Sequence, residues 1–81
     1  MKTIKRPFLK SEKQDEKGVL CLDGYPVKIF KIKNGLNYVY EVRCENIKIF
    51  RRSVNLPGAK EIAYQMAAEY ENLLIWHDQL A

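Results

Sequence analysis

The chain has 81 residues, 47% of them hydrophobic and 30% charged, which is enough for one small domain with a thin core and excludes a chain disordered over its whole length. Two cysteines are too few for a secreted disulfide scaffold, the charged start lacks an apolar signal segment, and no apolar run approaches the ~20 residues that cross a bilayer. A cytoplasmic protein with reduced thiols and no membrane contact is expected; a Cys21–Cys44 bridge would require the fold to bring the two together.

Charge is unevenly divided. Residues 1–55 carry 13 Lys/Arg against 6 Asp/Glu, whereas residues 56–81 carry 1 against 4. The first part is therefore +7 and the second −3, within a total of +4. A basic half of this kind suits a polyanionic partner, or serves as a solvated surface.

Residues 1–17 read as a basic, flexible arm, with Thr3–Leu9 a candidate edge strand; Pro7 argues against a long helix or a central strand there. Residues 18–81 then form the single folded domain. Val19–Leu22 is a short apolar run ending at Asp23-Gly24, and Val27–Lys33 is a β-branched, lysine-rich run ending at Asn34-Gly35. Both dipeptides suit tight hairpin turns. Leu36–Cys44 alternates, with Leu36, Tyr38, Tyr40, Val42 and Cys44 on one face and Val39, Glu41 and Arg43 on the other. Ile47–Ser53 repeats the pattern, with Ile47 and Ile49 opposed to Lys48, Phe50 and Arg52.

Asn55-Leu56-Pro57-Gly58 breaks the strands, and Asn55 is a candidate helix cap. From Ala59 the period becomes helical: Ala59, Ile62, Ala63, Met66, Ala67, Tyr70, Leu73, Leu74, His77 and Leu80 form one stripe. The expected fold is α+β, a three- or four-stranded antiparallel β-meander packed on one long C-terminal helix over residues 58–80. That helix spans about 35 Å, against roughly 20–23 Å for strands of six or seven residues. Its end should overhang the sheet. Tyr64, Ala68 and Ile75 form a thin second stripe, so Tyr64, Ile75 and Trp76 are candidate protein-interface residues, for a homodimer through the helix or for another protein.

Chemistry of other kinds finds little support. His77 lies on the apolar stripe as a structural histidine, and Ser11 and Ser53 sit in no nucleophile motif. Two cysteines and one histidine at these spacings match no compact zinc motif, and no phosphate-binding glycine loop is present. No catalytic residue, metal or cofactor is expected. What remains is a basic, aromatic sheet face. Lys31, Lys33, Arg43, Lys48, Phe50, Arg51 and Arg52 are the candidate nucleic-acid-binding residues, because an exposed ribbon of Arg and Lys can enter a major groove and Phe50 can stack on a base.

The Asn34-Gly35 turn, the Tyr38-Val39-Tyr40-Glu41-Val42-Arg43 and Ile47-Lys48-Ile49-Phe50-Arg51-Arg52-Ser53 strands and the Ala59-Lys60-Glu61-Ile62-Ala63 helix start together resemble the AP2-like, arm-binding N-terminal domain of phage and transposon integrases. The resemblance covers about half the chain. It implies three antiparallel strands before a helix, a sheet that reads the major groove, and DNA contacts from Arg43, Lys48, Arg51 and Arg52. A longer helix, the acidic Glu41 and Glu45 and the extra Val19–Leu22 run depart from that pattern. The expected function is thus a small DNA-binding accessory or regulatory protein of phage type. The alternative is a phage-type inhibitor that binds a host protein through the helix and its C-terminal end.

Overall fold

A computed structural model describes residues 6–12, 14, 18–45, 47 and 49–80, with side chains described as far as Leu73. Five strands run β1 (Phe8–Lys10), β2 (Leu20–Leu22), β3 (Val27–Asn34), β4 (Asn37–Cys44) and β5 (Ile49–Ser53), followed by helix α1 (Leu56–Leu80). They pair in chain order, each antiparallel to the next, so the sheet is a meander without a crossover. The α+β architecture expected from the sequence is the one observed, with one more strand than expected.

The extra strand is β1. It lies in the segment read as a flexible arm, so the sheet takes in residues that the expected boundary at residue 17 left out. Phe8 pairs with Leu22 and Lys10 with Leu20. The Asp23 N–H donates to the Pro7 carbonyl and the Ser11 N–H to that of Val19, each at 3.0 Å. Pro7 sits just before the edge strand, where its missing N–H costs no ladder bond. Thr3 to Lys5, the start of the expected edge strand, lie outside the described residues.

The central hairpin turns one residue later than the dipeptide predicts. Asn34 pairs with Asn37, leaving Gly35 and Leu36 as the two turn residues. Gly35 has φ +64, the left-handed region that a two-residue hairpin needs at its first position. Leu36 is therefore a turn residue and leaves the buried face to which its parity had assigned it.

One face of the sheet is covered by α1. Leu22, Val27, Ile29, Val42 and Cys44 form a single buried cluster with Ala59, Ala63, Met66 and Ala67. Three alanines spaced by four residues let the helix backbone approach the strands closely, and Met66 fills the space between. The Asn55 side-chain oxygen accepts the Gly58 N–H at 2.8 Å, which caps the helix as expected. A Cβ on Gly58 would lie 2.5 Å from Ser53 Oγ, so this joint is built around a glycine. Farther along, the Tyr25 hydroxyl donates to Glu71 and ties the β2–β3 loop to the helix. That hydrogen bond, with burial and the Glu71 charge, pushes the Tyr25 hydroxyl above its ordinary range.

Two corrections follow from this packing. Tyr64 is not part of an outer stripe. Its ring lies 5.3 Å from that of Phe8 and its hydroxyl donates to the Arg6 carbonyl, so it clamps β1 to the helix. Ala68 likewise packs against the buried cluster. Cys21 and Cys44 lie on opposite faces of the sheet with β3 between them, roughly two strand spacings or ~10 Å apart. No bridge can join them.

Candidate functional site

The other face carries no second layer among the described residues. Strand parity and register assign its side chains. Leu9, Cys21, Lys28, Arg43 and Phe50 lie in one row across all five strands. Phe30, Glu41 and Arg52 form the next row, then Ile32 with Val39, then Asn34 with Asn37.

The centre of this face is a carboxylate. Glu41 is only 4% exposed although no helix or strand covers it. Arg43 and Arg52 cover it instead. Arg43 donates to one carboxylate oxygen, and the Arg52 Nε donates to the other at 3.2 Å. Burial on its own would push the Glu41 carboxyl up; the hydrogen bonds and charges of the two guanidiniums outweigh it and hold the carboxyl below its usual range. Glu41 is therefore ionised at neutral pH, and it fixes both arginines.

The arginines stay accessible. Their side chains are 47% and 64% exposed, and a guanidinium has more N–H donors than one carboxylate oxygen can absorb. The Arg43 guanidinium also lies over the Phe30 ring, 4.3 Å from its centre, a cation–π contact that helps hold it in place. Phe50 stands beside Arg43 on the neighbouring strand and is 62% exposed. Lys28 completes the row and pairs with Glu45 at 3.3 Å.

Seven candidate residues were read from the sequence, and the structure separates them. Arg43, Phe50 and Arg52 share the open face. Lys31, Lys33 and Arg51 project from the opposite, helix-bearing side. Lys31 lies over the Tyr38 ring at 4.4 Å, and Arg51 pairs with Glu69 of α1 at 3.3 Å. Lys48 lies outside the described residues, as do the side chains of Ile75 and Trp76 in α1. Lys31, Lys33 and Arg51 thus cannot act on the same surface as Arg43 and Arg52. The sequence held the signal for this: Arg51 alternates with Phe50 and Arg52 within one strand, and any two-residue turn puts Lys31 and Lys33 on the face of Tyr38 and Tyr40. Glu41 and Phe30, which organise the site, were not singled out. Glu41 read as an acidic intrusion because its link to Arg52 depends on cross-strand register.

Among the described residues no group of three His, Cys, Asp or Glu side chains converges to hold a metal, and no helix is long and apolar enough to cross a membrane. No family model, no curated protein and no solved structure matches the chain.

Proposed function

We propose that this chain is a small non-enzymatic binding protein that engages nucleic acid, duplex DNA above all, through the open face of its sheet. The observation that carries the reading is the Glu41-centred pair of arginines. A free arginine side chain gives up about 2 kcal/mol of rotamer entropy when it is fixed against a ligand. Here Glu41 already holds both Arg43 and Arg52, and Phe30 also holds Arg43, while both arginine side chains stay accessible beside the exposed Phe50 ring. Guanidiniums on a twisted antiparallel ribbon match phosphate oxygens and guanine edges, and a free aromatic ring suits a base face or a thymine methyl. The +7 charge of residues 1–55 supports the same partner. So does the resemblance to the arm-binding domains of integrases, which also use a sheet ahead of a helix. An accessory or regulatory role of phage or mobile-element type is the matching biological proposal.

The test is fluorescence anisotropy of a labelled duplex at about 50 and 200 mM salt. Several phosphate contacts predict a loss of affinity by orders of magnitude between the two. Arg43→Ala with Arg52→Ala should weaken binding and lower the log–log salt slope by about 2. Affinity unchanged in that double variant would remove the sheet face from the reading.

A second reading rests on the far end of α1. The 25-residue helix spans about 37 Å and outruns the sheet, and Leu73 is half exposed where the overhang begins. A second copy of the chain, or a host protein, is the occupant this end would take, with Ile75 and Trp76 as anchors. A monomeric mass by sedimentation at high micromolar concentration would remove the dimer.

A further inference from the structure

The β3–β4 hairpin reaches beyond the rest of the sheet. Its two strands pair over eight rungs, from Val27 with Cys44 to Asn34 with Asn37. On one side β2 pairs no farther than Ile29, and on the other β5 pairs no farther than Tyr40. Helix α1 begins at this end, three residues after Ser53, and runs the other way, its Glu69 meeting Arg51 and its Glu71 meeting Tyr25. Among the described residues the last three rungs, Ile32 with Val39, Lys33 with Tyr38 and Asn34 with Asn37, therefore form a two-stranded ribbon that no other strand pairs with. At ~3.3 Å per residue it projects roughly 10 Å before the turn. This ribbon and the helix overhang lie at opposite ends, in keeping with the 47 × 25 × 22 Å dimensions of the molecule.

The apex of the ribbon is apolar and its shoulders are polar. Leu36 is 100% exposed, held outward by the left-handed Gly35. Asn34 and Asn37 sit side by side on the last rung, both exposed, on the face that carries Arg43 and Arg52. Lys31 and Lys33 stand exposed on the other face, and no acidic residue occurs between Lys31 and Tyr40. Turn apices usually carry small polar residues, so a leucine there is out of keeping with the local preference.

We infer that this hairpin is a DNA-kinking arm: Leu36 wedges between base pairs from the minor groove, Asn34 and Asn37 meet the groove floor, and Lys31 and Lys33 meet the phosphates of its wall. The proposal rests on the nucleic-acid reading above and adds a second element to it. The chemistry fits each part. The minor-groove floor of A·T pairs offers the acceptors N3 and O2, which asparagine amides can meet. An apolar side chain inserted at a base step partly unstacks it and bends the duplex by roughly 20–90°. A lipid surface is the poorer partner for the same apex. One leucine contributes at most about 3 kcal/mol of burial, and even a single fourteen-carbon acyl chain gives only marginal membrane binding.

The experiment is energy transfer between dyes at the two ends of a duplex of roughly 30 base pairs, a length that a single kink shortens measurably, with anisotropy on the same samples. The wild-type chain should raise the transfer on binding. Leu36→Ser, at a fully exposed apex that leaves the fold intact, should keep affinity within about threefold, since unstacking cost and wedge contact are lost together, yet lose most of the transfer change. Circular dichroism of the variant verifies the fold. Wild-type binding without a change in transfer, or an unchanged bend in Leu36→Ser, overturns the wedge and leaves the sheet-face reading standing. Binding that survives Arg43→Ala with Arg52→Ala but fails in Lys31→Ala with Lys33→Ala, with the bend intact, keeps the arm and overturns the sheet face. No duplex binding by the wild type overturns both.

Discussion

The two faces of this sheet use the same strands and reach burial in different ways. On the covered face, Val27, Ile29, Val42 and Cys44 are buried because a helix of small residues is laid over them. On the open face, Glu41 is just as buried, yet its cover consists of the side chains of Arg43 and Arg52. The first arrangement removes apolar surface from water and stabilises the fold in proportion to area. The second takes a charge out of water and must return that cost through hydrogen bonds, so it adds little net stability. On a face with no second layer among the described residues, it leaves the side chains of both arginines accessible.

The largest test of this contrast is in the covered layer. Met66 is fully buried between helix and sheet, so Met66→Ala should cost about 2–5 kcal/mol. Phe50→Ala, an aromatic truncation of similar size on the open face, should stay within about 0.5 kcal/mol. Urea denaturation of the two variants checks both; equal losses would mean that the open face is covered in solution.

Glu41 comes next. Glu41→Gln keeps the shape but removes the charge-assisted bonds, and should cost about 2 kcal/mol near neutral pH. The pH dependence fixes the cause. The folded carboxyl titrates below its unfolded value of roughly 4.3. Its contribution is therefore complete above that value and is lost as pH falls through the lower, folded one. The gap between wild type and Glu41→Gln should hold from neutral pH down to about 4.3 and narrow as the pH falls further. A gap that does not narrow there would assign the loss to packing.

The joint that hangs the helix over its face is a smaller matter. Asn55→Ala removes the oxygen that accepts the Gly58 N–H, and should cost about 1 kcal/mol. Thermal unfolding of this variant alongside Met66→Ala would rank cap against core; a loss as large as that of Met66→Ala would mean the helix detaches when its first turn frays.

The fold was legible where one strong period ran for long enough. The alternation through Asn37–Cys44 and the stripe from Ala59 to Ala67 each named an element and the face it buries. The cap was legible because an asparagine ahead of Pro57-Gly58 has few other uses. Strand β1 was legible only as a candidate edge strand over Thr3–Leu9 within an arm read as flexible, since the residues beside Pro7 carry no period and owe their pairing to Leu22 and Tyr64. The candidate site was half legible. Period two alone put Arg43, Phe50 and Arg52 together, whereas the weight given to their charge also drew in Lys31, Lys33 and Arg51, which period and turn length assign to the other face. The Glu41–Arg52 contact joins residues 11 apart in sequence through the register of β4 against β5, and no local pattern reveals that register.

Arg51 and Arg52 offer the finest form of the comparison, because they are consecutive residues on one strand and each pairs with one glutamate. Arg51 meets Glu69 of the helix at 3.3 Å with both side chains nearly half exposed. Arg52 meets Glu41 at 3.2 Å with the carboxylate buried. Nearly equal distances should give unequal couplings, because solvent screens the first pair and not the second carboxylate. Double-mutant cycles to alanine should return about 0.2–0.5 kcal/mol for Arg51–Glu69, falling as salt is added. For Arg52–Glu41 they should return at least about 1 kcal/mol with weak salt dependence, although Arg43 keeps a share of that carboxylate in every corner of the cycle. Equal couplings would show that Glu41 is wetter than its burial implies. The two arginines of the open face would then be free to move, and the case for a prepared guanidinium pair would lose its footing.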